Sequence, residues 1–297
     1  MLFEVIHSTR FRYSRPVFLE PLTIRLRPRC DPAQRLLRFE LSIDPAPAGT
    51  LELVDLEGNV ATRIWFTAMT DLLRIRTTFA AETLRTNPFD YIVSDPEALR
   101  VPMAYSGEEQ ACLERYQAHS ADEGVEAFTA EVLDISAGSA QVFLVELASR
   151  ICESFRREVR ERDVPLPPAV TLQRRRGASR DLATLFMEAC RSVGIAARYV
   201  SGYLDDYPPR GPRQLHAWAD VYLAGVGWRG YDPSQGVAVA DHHLAVAAGA
   251  TPGAAAPARG AFRGSGVISS LDMHIEVGVT RSGSDRKTPD VTDPNSP

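Results

Sequence analysis

The apolar residues of this chain change period once, near residue 90, and that change limits the folds open to it. From Leu2 to about Phe79 they alternate. Leu2, Glu4 and Ile6 stand against Phe3, Val5 and His7, and the pattern returns over residues 23–27, 51–54 and 73–77. Alternation puts successive side chains on opposite faces, as half-buried strands require. Asp44-Pro45, Pro47-Ala48-Gly49 and Glu57-Gly58-Asn59 supply turns between them. This predicts an all-β N-terminal domain over residues 1–90, left through Asn87-Pro88-Phe89-Asp90. From residue 97 to 160 the spacing becomes helical. Leu144, Leu147, Ala148, Ile151 and Phe155 recur three or four apart and share one face. Strands followed by helices in a chain of 297 residues give an α+β protein of one large or two modest domains.

A second helix is predicted to open at Ser179. Asp181 suits its N-terminal dipole, Leu182, Leu185, Phe186, Ala189 and Val193 give it a buried face, and Gly194 ends it. Strands follow over residues 197–203 and 217–223, and Gly225-Val226-Gly227 turns the chain back through residues 228–232. His216 starts one strand of that hairpin and Asp232 ends the other, so both fall at the same end. A hydroxyl, an imidazole and a carboxylate are the parts of a nucleophile–base–orienter triad. Each also has a plainer reading: Ser179 as a helix N-cap, His216 as a satisfied strand histidine, Asp232 before Pro233 as a turn carboxylate. Their order and the elements that carry them favour a shared site.

The chain has 33 basic and 38 acidic residues and a net charge of −5, which argues against a nucleic-acid partner. The charged run at residues 156–162 interleaves both signs and is expected to be a solvated helix end. Arg174-Arg175-Arg176 is expected on the surface. Cys30, Cys112, Cys152 and Cys190 show no paired spacing, which excludes a disulfide scaffold and a zinc site. His242-His243 would point to opposite sides of a strand with no third ligand nearby, so no metal and no cofactor are expected. No apolar run spans a bilayer and residues 1–7 do not resemble a signal peptide, giving a cytoplasmic protein with no membrane partner. Residues 247–258 are small and read as flexible, residues 268–279 as a final strand, and residues 282–297 as a disordered tail.

These motifs resemble the transglutaminase-like superfamily. The N-terminal part is similar to the β-rich leader of its bacterial members through residues 7–17, Leu26-Arg27-Pro28-Arg29 and Asp55-Leu56-Glu57-Gly58-Asn59. The rest matches through Arg176-Gly177 to Asp181, residues 196–204, His216-Ala217-Trp218, Gly227-Trp228, Asp232-Pro233 and residues 260–264. The resemblance implies a papain-like core over residues 91–281, a helix packed on an antiparallel sheet. It also implies a Cys-His-Asp triad acting on amide bonds. His216 and Asp232 match the family's histidine and aspartate, and its cysteine position holds Ser179. Trp218, Arg180 and Tyr203, within the matched motifs, are candidate substrate contacts. The chain departs from the family pattern at Leu215, where a small residue is usual, and at Ala250-Thr251-Pro252, where Arg-Asp-Tyr is usual.

Serine changes the chemistry. A helix N-terminus ionises a thiol with a modest push, but not a hydroxyl, which must lose its proton to His216 during attack. Two main readings follow, and a small-ligand sensor is a third. Three departures favour a degenerate cleft that binds a peptide or protein without turnover. Retention of His216 and Asp232 favours a working serine protease, amidase or acyl transferase, or one whose cysteine was replaced artificially. Oligomeric state is not legible.

Overall fold

The computed structural model describes residues 1–93, 95–160, 164–205 and 214–281. The expected tail, and the Pro-rich stretch after Asp205, lie outside the described residues. Six strands come first: β1 (Leu2–Leu19), β2 (Leu22–Ile24), β3 (Gln34–Asp44), β4 (Gly49–Val54), β5 (Val60–Trp65) and β6 (Thr70–Thr83). Helices α1 (Gly107–Gln117), α2 (Glu123–Ser136) and α3 (Ala140–Ser154) follow. Next come the short β7 (Arg156–Arg157), α4 (Pro168–Arg174), β8 (Arg176–Gly177) and α5 (Ser179–Ser192). Then run β9 (Ala197–Leu204), β10 (His216–Leu223), β11 (Gly227–Asp232), β12 (Val237–Ala238) and β13 (His243–Gly249). The described chain closes with β14 (Ala258–Arg259), β15 (Phe262–Arg263) and β16 (Ser269–Thr280).

The N-terminal unit packs two sheets on one core, as the alternation predicts. One sheet has the order β15-β1-β6-β3 with β16 also on β1, and the other is β14-β2-β5-β4. Val17, Leu19, Leu73 and Ile75 from the first meet Leu22, Ile24 and Ile64 from the second. The far end of the long β1 does a different job. There Phe3 and Val5 pack with Phe79 against Tyr203, Leu244 and Val246, so one strand joins both cores.

The other unit is a helix on an antiparallel sheet, ordered β12-β11-β10-β9-β13. Ala217, Ala219, Val221 and Leu223 alternate toward α5 and its buried Leu182, Leu185, Phe186 and Ala189. The fold is therefore the α+β arrangement expected.

The structure differs from the sequence reading in four places. The final strand does not belong to the core: β16 pairs along β1 from Leu2↔Thr280 to Tyr13↔Ser269. Its alternation was legible but its partner was not. β6 covers one edge of β1, and β16 satisfies the other. The core boundary at 281 therefore moves back, and the β unit is discontinuous in sequence. Residues 247–258 are not a flexible spacer, because Ala247, Ala248 and Ala255 are wholly buried and the Ala255 carbonyl accepts from Ser201 Oγ at 2.7 Å. Small residues here allow close packing. Nor is the run after α3 a solvated helix end. Arg156 and Arg157 pair with β8, and Arg160 reaches a buried carboxylate, as described below. The fourth is Tyr203, described with the site below.

Candidate active site

Ser179 is not the N-cap of α5. Ala178 holds that position, and Ser179 is the first helical residue, half-buried. The work of the cap falls to Asp181. Its Oδ2 accepts from the Ala178 N–H at 2.8 Å, and its Oδ1 accepts from Arg160 Nη2 at 2.7 Å and from the Leu166 N–H at 2.8 Å. Gly177 makes this possible, since a Cβ there would sit 2.8 Å from the Asp181 Cβ. Asp181 thus fixes the segments that lead into Ser179 and leaves the serine hydroxyl without a capping role.

Helix and strand run the same way, which brings Ser179 to the His216 end of the sheet. At the far end of α5, Arg191 Nη2 donates to the Ala197 carbonyl at 2.8 Å, and Ala197 lies opposite Val221. Midway, Phe186 stacks on Tyr231 at 5.9 Å, and Tyr231 lies opposite Ala219. A helix of 14 residues covers about 21 Å at its usual rise. The eight residues of β10 cover about 26 Å. The start of α5 is therefore level with the start of β10, which is His216.

His216 and Asp232 meet as expected. His216 Nε2 lies 2.6 Å from Asp232 Oδ2, which commits Nε2 and leaves Nδ1 as the nitrogen for proton transfer. Sequence reasoning missed the second histidine. His243 Nε2 lies 3.0 Å from the same Asp232 Oδ2. Ser234 completes the set, its N–H at 2.9 Å and its hydroxyl at 2.8 Å donating to Oδ1. Asp232 is 0% exposed. Burial alone would push its carboxyl up, but the two histidines and their hydrogen bonds prevail and hold it well below the usual carboxylate range. Burial pushes His243 down, so it is held neutral.

His216, Asp232 and His243 form a compact buried cluster, but its spacings are those of hydrogen bonds to one oxygen rather than of ligands spread around a cation. The sequence reading had the geometry of the His242-His243 pair right: His242 is half-exposed beside Asp205 and His243 points inward. The signal overlooked was that a strand entering beside the Asp232 loop can deliver one of them to that carboxylate.

The three candidate substrate contacts fare differently. Trp218 is buried against both imidazoles, at 6.3 Å from His216 and edge-on at 5.3 Å from His243, so it holds the rings in place. Arg180 is half-buried beside Ser179 and donates to the Arg160 carbonyl, facing the segment that precedes α4. Tyr203 does not fit the expectation. It is 1% exposed, packs between the two units and shares a hydrogen bond with His7 Nδ1 at 2.7 Å. Its alternation in β9 carries it into the interdomain core. Cys190, likewise, is fully buried in the helix–sheet core.

Sequence comparison gives two family matches. The bacterial transglutaminase-like N-terminal region matches residues 3–82, and the transglutaminase-like superfamily matches residues 133–233. An uncharacterized protein of Mycobacterium tuberculosis is 28% identical over 293 residues, covering 93% of this chain and 92% of that one. One of Mycobacterium leprae is 24% identical over 295 residues, covering 94% and 98%. Among solved structures, a candidate cysteine protease from Cytophaga hutchinsonii has the same fold, with a TM-score of 0.69 at 18% identity over 94% of this chain and 90% of that one. No helix among the described residues is long and apolar enough to cross a membrane.

Proposed function

We propose, for a chain that belongs to the transglutaminase-like superfamily, that the cleft at the start of α5 binds a peptide or protein segment and that turnover at Ser179 has been lost. The supporting observation is how structural duty is shared among the three triad positions. Asp232 is a charged carboxylate with no exposure, and His216, His243 and Ser234 are its donors. Losing His216 would leave a buried charge short of a partner, which costs several kcal/mol, roughly 3–5. Folding alone therefore retains His216 and Asp232. Ser179 caps nothing and carries no such duty, and it is the position that departs from the family's cysteine.

The second reading rests on the same geometry. The His216–Asp232 pair is wired for general-base catalysis, with Nδ1 free to take the Ser179 proton as the hydroxyl oxygen attacks an amide carbonyl. The proton would pass to the leaving amine, and the positive end of α5 would face the oxyanion. The product would be an acyl-serine that water or an amine resolves. The solved relative described as a cysteine protease is consistent with amide chemistry on this fold.

A fluorophosphonate probe read by intact mass separates the readings. We expect no adduct on the wild-type protein. An adduct that both Ser179→Ala and His216→Ala abolish would overturn the first reading in favour of the serine enzyme. The binding half is read by NMR titration with an unstructured peptide digest. Shifts should centre on Ala178, Ser179 and His216 and be absent in Ser179→Trp. Unmoved signals would remove the binding claim.

A further inference from the structure

A second chamber lies on the face of the core sheet turned away from α5, where the N-terminal unit meets β9, β10, β11 and β13. Its volume is about 310 Å³, and Arg29, Arg198, Arg229, Trp218, Trp228 and His243 are among its lining residues. That is the lower end of the range for small-molecule pockets. Its rim is strongly sewn. Gln34 Nε2 donates to the carbonyls of Arg29 and Ala245, each at 2.7 Å, and its Oε1 accepts from the Ala245 N–H at 2.8 Å. The chamber is therefore built into the junction of the two units rather than left by loose packing.

Three of its lining residues each carry a buried polar atom with no hydrogen-bond partner among the described residues: Arg29 Nε, Arg229 Nε and His243 Nδ1. Such atoms are uncommon in native proteins and ask for an explanation. Each lacks something different. Arg29 satisfies its Nη1 with Asn59 Oδ1 at 2.6 Å, and Arg229 gives its Nη1 to the Trp228 carbonyl at 2.9 Å. Both Nε–H groups still lack an acceptor. The nearby Arg198 offers no relief to Arg29, since it is a third cation already paired with Asp220 at 2.8 Å and seated over the Trp228 ring at 4.2 Å. His243 is the opposite case. Its Nε2 proton goes to Asp232, so Nδ1 is an acceptor with no donor.

We propose that this chamber binds a small organic carboxylate that also carries a hydroxyl or amine. The carboxylate accepts from Arg29 and Arg229, the carbon body lies between the Trp218 and Trp228 indoles, and the O–H or N–H donates to His243. A carboxylate fits better than a bare phosphate. The indoles offer nothing to phosphate oxygens, Asp31 and Asp220 also line the chamber, and His243 asks for a donor. The site would reach the candidate active site directly, since His243 shares Asp232 Oδ2 with His216. It stands whether or not Ser179 reacts.

The test uses calorimetry on the full chain with citrate, which has the hydroxyl, tricarballylate, which is the same acid without it, and inorganic phosphate. We expect saturable one-site binding of citrate, with tricarballylate weaker by about tenfold or more, one hydrogen bond's worth. Arg229→Gln, whose native guanidinium otherwise bonds the Trp228 carbonyl and lies 5.1 Å over the Tyr91 ring, should weaken citrate by a similar factor. Ala33→Glu, which tethers a carboxylate in the chamber, should abolish citrate binding and carries the test if Arg229→Gln does not fold. No saturable binding, binding indifferent to both variants, or binding of phosphate in preference to citrate would each overturn the proposal. Equal binding of the two tricarboxylates would overturn the role of His243.

Discussion

His243 Nε2 stands 3.0 Å from Asp232 Oδ2, the oxygen that His216 holds at 2.6 Å. Asp232 thus has two imidazole donors rather than one, and the second is as deeply buried as the first. Asp232 is folded around as a charged core residue. His243→Leu should therefore destabilise the protein by about 2–4 kcal/mol, because it strips a donor from a buried anion. Urea unfolding checks this. A loss below about 1 kcal/mol would mean that His216 and Ser234 suffice.

Placing a thiol at Ser179 tests the proposed site without needing its substrate. A cysteine at the first position of α5 sits at the positive helix end, where thiolates are favoured. Ser179→Cys should react with iodoacetamide at neutral pH at least about tenfold faster than the exposed Cys30 and Cys112, as depressed thiol pKa values imply. Adding His216→Ala should slow that reaction and leave the two native cysteines unchanged. Site-resolved mass spectrometry distinguishes the three thiols. Equal reactivity at all of them would mean that the helix start and His216 no longer form one site.

What the sequence made legible follows its local physics. The alternation in β1 and the spacing of Leu182, Leu185, Phe186 and Ala189 are patterns of a few residues, and the elements they predict are present. The His216–Asp232 contact was legible because a short glycine turn fixes hairpin register. The misses all depend on which distant segments meet. Nothing near β16 says that it returns to β1 across the whole core. Arg160 reads as one charge in a run until Asp181 folds back to it. Tyr203 reads as a strand residue near the site until the N-terminal unit closes over it. His243 reads as half of a histidine pair until its strand enters beside Asp232, the carboxylate that the hairpin gives to His216.

The junction between the two units gives a mutational prediction. Asn59 Oδ1 accepts from the Ala248 N–H at 2.9 Å, and its Nδ2 donates to the Ala248 carbonyl at 2.7 Å. One amide side chain thereby stands in for a strand at the open edge of β13. Asn59→Leu leaves both backbone groups buried without partners and leaves Arg29 Nη1 only the Glu57 carbonyl at 3.3 Å. We expect a loss of about 2–5 kcal/mol, the sum of two or three such groups. Thermal unfolding should show it, with proteolysis appearing first between the two units.

Acid should weaken the same junction through His7. This side chain lies between Tyr203 and Thr9, at 2.7 Å from the tyrosine hydroxyl and 3.1 Å from the threonine Oγ1, and burial pushes it down to about 4. The unfolded chain, with an ordinary histidine near 6.5, binds the proton more readily. The folded state therefore keeps its full His7 contribution above the unfolded value, loses it as pH falls from there, and loses no more once the folded histidine also protonates near 4. Between about pH 7.5 and pH 5 the loss is about 2 kcal/mol. Asp232 loses its stabilising contribution only at lower pH, since its folded value lies below the ordinary carboxylate one and the loss comes as acid protonates it. The two groups thus act in separate windows. Urea midpoints at the two pH values should show the loss in the wild-type protein and little of it in His7→Gln, which can still bond Tyr203 but cannot titrate. An equal loss in both proteins would place the acid sensitivity elsewhere.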